Sequence, residues 1–296
     1  MSHVLILGGT TFDHIVYLDQ FPKPLPQTIH QARFHETTGS TGSGKALCLT
    51  KLGVPNTLYS VLGDDPYGKH IIKHLQDSAV DFIYDIDPGG TERHINLMNA
   101  DGNRISIFIR TSSEHPPFTI PLIESQLAKS DLLVLNIIAY CKDLVPLLSN
   151  YKKPVWTDLH DYTDDNPYHE PFINAADIIF LSSDNLRDYK STMQQLISRG
   201  KKLVLCTHGK QGSTALTAES EWLYEPALTG FPLVDSNGAG DNYFAGFLYA
   251  WKKGKSTREC MQYGTLCAAC CIGSPQLVAE SLSAAGLEEL YCSRYQ

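Results

Sequence analysis

Apolar runs of strand length alternate with segments of helical period through most of this sequence, a pattern that a sheet covered by helices buries best. Val4 to Leu7, followed by Gly8-Gly9, reads as a buried first strand. Leu58 to Leu62 follows as a strand, the residues around Ile71, Ile72 and Leu75 as a helix, and Asp131 to Ile138 and Val155 to Asp158 as strands. Ile178 to Leu181, a helix carrying Leu186, Tyr189, Met193, Leu196 and Ile197, and a strand from Lys202 to Cys206 continue the series. The alternation predicts a doubly wound α/β fold, with a mostly parallel sheet and helices on both faces. A chain of 296 residues suffices for one such domain, residues 1–296.

Two stretches break the rhythm. Residues 14–38 carry Pro22, Pro24 and Pro26 among short β-type runs. Residues 92–110 alternate around Asp101-Gly102, a hairpin signal, with Ile95 and Leu97 before the turn and Ile105, Ile107 and Ile109 after it. Together they predict a small β lid over a site.

Composition narrows the function. A net charge of −8 without a Lys/Arg cluster argues against a nucleic-acid partner, which needs a basic surface to neutralise phosphates. The longest apolar run, around Leu132 to Ala139, is too short to span a bilayer, so no membrane segment is expected. Eight cysteines are scattered and no basic leader precedes Val4, which together predict reduced thiols in the cytoplasm.

The chemistry concentrates in Asp235-Ser236-Asn237-Gly238-Ala239-Gly240-Asp241. This glycine-rich loop runs straight into Phe244, Phe247, Leu248 and Trp251, which share one helical face, so it opens a helix. Small residues there let a backbone approach an anion, and the free N–H groups and dipole of the first turn favour negative charge. Asp241 lies in that turn, where the dipole favours an ionised acceptor that can orient and deprotonate an attacking hydroxyl. As a loop alone, the segment is equally well read as a capped helix start.

The residues carry a resemblance. Asp235 to Gly246 resembles the second signature of the ribokinase or PfkB family of carbohydrate kinases, D-T-x-G-A-G-D-x-F-x-A-G, with Ser236 for Thr and Tyr243 for Phe. Gly9 to Asp13 resembles the family's first strand and substrate-binding Asp, and Phe21-Pro22-Lys23-Pro24 its entry to the lid. Leu62 to Gly68 and Thr207 to Gly212 fit two further family patterns in order. The resemblance implies an ATP-dependent kinase for a hydroxyl of a small sugar or sugar derivative. It makes Asp241 the catalytic base and Gly238, Ala239 and Gly240 the anion hole. Asp13, Gly39 and Ser40 would hold the acceptor, and Thr207, Gly209, Gly212, Asp235 and Ser236 the nucleotide. ATP and Mg²⁺ are the implied cofactors. A monovalent cation and a lid-mediated homodimer remain open.

Three positions depart from the family. Its first signature, G-G-x-x-x-N-x-A, falls on Gly39 to Ala46, so the amide-bearing Asn is Gly44. Its metal-organising N-x-x-E falls near Ser182 to Asn185 with neither end kept, and its D-P-N-x-R reads Asp158-Leu159-His160-Asp161-Tyr162. Gly39 to Lys45 also fits the start of a P-loop, but Ala46 lacks the hydroxyl a P-loop supplies to Mg²⁺. Lys45 itself reads best as a solvated first-turn lysine. Cys267, Cys270 and Cys271 lack partners at zinc spacing and read as small core residues. His70 and His74 read as a solvated helix face. A nucleoside kinase, with a base stacked by Phe34 or Phe108, is the alternative within the family. A non-catalytic ligand sensor is the alternative outside it.

Overall fold

The computed structural model describes residues 3–164 and 166–296. Its strands are β1 (Val4–Leu7), β2 (Thr11–Tyr17), β3 (Arg33–Gly39), β4 (Asn56–Leu62), β5 (Asp81–Ile86), β6 (Arg93–Met98) and β7 (Arg104–Arg110). They continue with β8 (Leu132–Asn136), β9 (Val155–Asp158), β10 (Ile178–Ser182), β11 (Leu203–Thr207), β12 (Ser213–Thr217) and β13 (Trp222–Glu225). The helices are α1 (Thr41–Lys51), α2 (Pro66–Asp77), α3 (Ile120–Lys129), α4 (Cys141–Leu144) and α5 (Glu170–Ala175). The others are α6 (Tyr189–Ser198), α7 (Ala239–Lys252), α8 (Thr257–Ile272) and α9 (Ala284–Tyr295). No helix among the described residues is long and apolar enough to cross a membrane.

Among the described residues nine strands form the main sheet, in the order β13-β12-β11-β10-β9-β8-β1-β4-β5. Its pairings are parallel from β5 through β11, and β12 and β13 add antiparallel strands at one edge. The expected α/β sheet is present. All four residues of β1 are fully buried, as a central parallel strand covered on both faces requires. Successive side chains feed opposite layers. Val4 and Ile6 join a core shared with Phe244, Phe247 and Leu248 of α7, while Leu5 and Leu7 join one shared with Ile123, Phe172 and Met193. The chain runs from β1 outward to β5, then returns to β8 on the other side of β1. Strand order therefore reverses between β1 and β8, and a crevice opens outside the C-terminal ends of these strands, where ligands of open α/β sheets bind.

A second sheet, in the order β3-β2-β6-β7, is the lid. The hairpin read at Asp101-Gly102 is its β6–β7 turn, with Gly102 at φ 79°. Ile95 pairs with Ile107 and Leu97 with Ile105, so the two arms share an apolar face as the alternation predicted.

Trp156 ties the sheet to the helix that carries Asp241. It is fully buried in β9 and packs against Phe180, Phe244 and Phe247, with ring centroids 5.8–5.9 Å away. Trp156→Ala is expected to cost about 3–5 kcal/mol and to lower the melting temperature by roughly 10 °C, measured by thermal unfolding.

Candidate active site

The loop read from sequence is built as expected at its helix entry. Gly238 precedes α7 at φ 80°, a left-handed backbone, and a Cβ there would lie 2.7 Å from Leu277 Cδ1. Glycine is needed on both counts. In the first turn of α7 the Ala239 N–H donates to the Ser236 carbonyl (3.3 Å), whereas the N–H groups of Gly240 and Asp241 have no acceptor within the helix and can meet an anion. A Cβ added at Gly240 would meet nothing, so space lies open before that peptide. Asp241 follows in the same turn and is buried.

Lys45 corrects the sequence reading of a solvated lysine. It is fully buried in α1, with its Nζ 2.5 Å from Asp241 Oδ1, 3.0 Å from Asp158 Oδ2 and 5.0 Å from the centre of the Phe244 ring. Burial alone would lower the Lys45 pKa, but the two carboxylates outweigh it and hold it above the ordinary lysine value. Asp158 shows the converse balance. Burial pushes it up, while His160, Lys45 and the His160 backbone N–H bring it down to about 2. A buried ion pair of this kind is costly to break on one side, about 3–5 kcal/mol, because the remaining charge is left alone.

Asp13, on β2, is almost fully buried and accepts hydrogen bonds from Thr11 Oγ1 (2.6 Å) and Asn96 Nδ2 (3.0 Å). Burial raises its pKa above the usual carboxylate range, against the lowering effects of Thr11, His94 and Arg104. Gly39 lies so close that a Cβ would collide with the Asp13 carboxylate, and five positions on, a Cβ at Gly44 would lie 2.9 Å from Asp241 Oδ2. One glycine-rich segment thus touches both carboxylates. Ser40, between them, takes φ 76°.

The lid brings residues that the sequence reading missed. His94 Nδ1 stands 3.6 Å from Asp13 Oδ1, its Nε2 2.9 Å from Glu92 Oε1, and Phe108 packs 3.8 Å from its ring. Phe108 pairs with His94, whose strand pairs it with Asp13, so all three share one lid face. Phe34 pairs with Val16 and lies on the opposite face. The lid also grips the helix-entry loop. Tyr17 donates to Asp235 Oδ2 (2.7 Å), Ser236 Oγ to the Gly102 carbonyl (2.7 Å) and Arg104 Nη1 to Asn237 Oδ1 (2.6 Å). Ser236 thus spends its hydroxyl on the lid, while Asp235 meets the lid with Oδ2 and accepts from the Asn237 N–H with Oδ1. Tyr17→Phe removes one of these links and is expected to raise the acceptor KM by about three- to tenfold with little change in kcat, read from initial-rate kinetics.

On the other side of Asp241 a recess of about 80 Å³ is lined by Gly240, Asp158, His160, Ser182 and Thr207. The chain neighbours of the last two, Ser183 and His208, line a larger cavity of about 460 Å³ with Tyr189, Lys210, Gln211 and Tyr224. Gly212, at φ 101°, makes the turn behind it, where a Cβ would collide with the Glu225 carbonyl; Gly209 also takes positive φ. This lane starts at the N-terminus of α7 and has the size of a nucleotide site.

Asp158, His160 and Asp241 each place a donor atom within 4.8 Å of the others. The Lys45 ammonium already lies between the two carboxylates as an ion-pair knot, while His160 Nε2 is buried without a hydrogen-bond partner. Ser182 Oγ accepts from the Asp184 N–H and Asn185 Nδ2 donates to the Asp161 carbonyl, which leaves that corner without the family's carboxylate.

Known proteins resemble this chain over nearly its whole length. Residues 1–153 and 171–284 match the pattern described as pfkB family carbohydrate kinase. The acarbose 7(IV)-phosphotransferase of Actinoplanes sp. is 31% identical over 290 residues, covering 97% of both chains. A microbiome-derived acarbose kinase has the same fold, with TM-score 0.88 at 24% identity over 98% of this chain and 99% of that one. Arabidopsis thaliana ribokinase, solved with ribose and ATP, aligns with TM-score 0.80 at 20% identity over 97% and 99% of the two chains.

Proposed function

The chain belongs to the pfkB family of carbohydrate kinases, which transfer a phosphoryl group from ATP to a sugar hydroxyl, and we propose that its acceptor is a saccharide of the acarbose type. The acceptor class rests on the 31% identity to the acarbose 7(IV)-phosphotransferase, and the phosphoryl transfer on the position of Asp241. It stands at the N-terminus of α7, beside a recess that leads towards the 460 Å³ cavity, with the lid-covered carboxylate Asp13 on the facing sheet.

In this reading the acceptor lies against Asp13, Gly39 and Ser40, with His94, Asn96 and Phe108 of the lid above it. Asp241 takes the proton of the attacking hydroxyl while its oxygen bonds to the γ-phosphorus and the bond from phosphorus to ADP breaks. The N–H groups of Gly238, Ala239 and Gly240 bear on the charge that develops on the phosphoryl oxygens. Thr207, Gly209 and Gly212 shape the nucleotide lane, and Asp235 and Ser236 join it to the lid. Mg²⁺, bound with ATP, would neutralise charge on the β- and γ-phosphates.

The whole chain acts as one catalytic unit with the lid as its cover, working in the cytoplasm with eight free thiols. The outer lid face exposes Phe34, Ile105 and Ile107, which suits pairing with a second copy. A nucleoside acceptor is the weaker reading, because the nucleoside kinases are 24–25% identical against 31% for the acarbose phosphotransferase, and of the two aromatics that could stack a base only Phe108, not Phe34, lies on the Asp13 face.

The test is ATP turnover with Mg²⁺ across acarbose, amino-sugar conjugates, ribose and nucleosides. The saccharide reading expects the highest kcat/KM on acarbose. Preference for a nucleoside would overturn it.

A further inference from the structure

We propose that Lys45 is a positioning residue that occupies the base between turnovers and yields it to the acceptor hydroxyl, so that ATP is not spent on water. The inference rests on the kinase reading and on Asp241 as its base. Its ground is the location of one fully buried ammonium, 2.5 Å from Asp241 Oδ1 and 3.0 Å from Asp158 Oδ2. Gly44 makes that location reachable. A Cβ at this position would lie 2.9 Å from Asp241 Oδ2 and 3.1 Å from its Cβ, so any side chain here, including the family's Asn, would crowd the base and force Asp241 or α1 to shift. The departure at Gly44 and the lysine that follows it, at a position the family pattern leaves open, therefore act as one device: the first clears the space, and the second fills it with charge.

A carboxylate oxygen held in a short charge-assisted hydrogen bond is a poor proton acceptor for a passing water. An acceptor fixed by Asp13 and the lid brings binding energy with its hydroxyl, and that energy can displace the ammonium. Asp158 remains as a partner for Lys45, so the displaced lysine never becomes an unpaired buried charge. Water that reached an unguarded Oδ1 would lose a proton to it and bond to the γ-phosphorus. ADP would leave, and inorganic phosphate would form without a phosphorylated acceptor.

The experiment measures ADP release from Mg·ATP with no acceptor, for wild type, Lys45→Met, Lys45→Arg and the double variant Lys45→Met/Asp158→Asn. The double variant removes one positive and one negative charge together, so the knot keeps its net charge where Lys45→Met alone leaves two facing carboxylates. In the double variant, folded by its cooperative melt, acceptor-free ADP release is expected to rise about tenfold or more. Adding Asp241→Asn should abolish the rise, and Lys45→Arg should stay near wild type.

Release at or below the wild-type level in the double variant overturns the proposal, as does an Arg variant that leaks as much as the neutral one. If the leak appears and depends on Asp241 while acarbose, ribose and nucleosides all go unphosphorylated by wild type, the guard stands and the acceptor reading fails.

Discussion

Asp241→Asn should lower kcat by about 10² to 10⁴, the range for a group that moves a proton in the transition state, and leave the protein folded. The amide keeps the shape and the first-turn position but cannot accept the hydroxyl proton. Stability should hold because Lys45 keeps its second partner, Asp158, at 3.0 Å, so the buried ammonium is not stranded. The melting temperature should therefore move by less than about 5 °C, and KM for ATP should stay within about twofold, since the nucleotide lane lies beyond Gly240. A variant with near wild-type turnover would remove Asp241 from the mechanism.

The second large effect belongs to Asp13. Its two oxygens accept from Thr11 and Asn96, both donors that stay in place when the carboxylate is replaced. Asp13→Asn would turn an NH₂ towards one of them, so even the isosteric change breaks the network. Hydrogen bonds to a charged group contribute about 1.5–3 kcal/mol each. Asp13→Ala is accordingly expected to cut kcat/KM for the acceptor by about 10² to 10³, with KM for ATP unchanged. Gly39→Ala should reproduce much of the loss without touching a polar group, because its Cβ would displace the same carboxylate. Equal losses on both substrates would place Asp13 in the framework of the protein rather than in the acceptor site. Steady-state kinetics with each substrate varied in turn separates the two.

The sheet was legible because its signals are local. Val4 to Leu7 is buried on both faces and reads as an unbroken apolar run, and Asp101-Gly102 marks its own hairpin. The edge strands were harder. β5 mixes Asp81 and Asp85 with Phe82 and Ile83, and β13 exposes Trp222 and Tyr224, so neither shows a core pattern.

The glycine-rich loop was legible for a similar reason, since its small residues and its helix adjoin in sequence. Lys45 was not. Its partners lie 113 and 196 residues away, and helical spacing alone puts it on a face without saying what covers that face. The signal that existed was Gly44, a lost side chain directly before a charged residue, Lys45. His94 was missed for the same cause, because its facing carboxylate arrives from a neighbouring strand.

The most direct test of the central claim is the product itself. Wild-type protein, Mg·ATP and acarbose should yield ADP and a monophosphorylated saccharide in equal amounts, identified by mass spectrometry and ³¹P NMR, with neither product above background for Asp241→Asn. Phosphorylated saccharide formed equally well by the variant, or ADP formed by wild type with only inorganic phosphate beside it, would contradict the account.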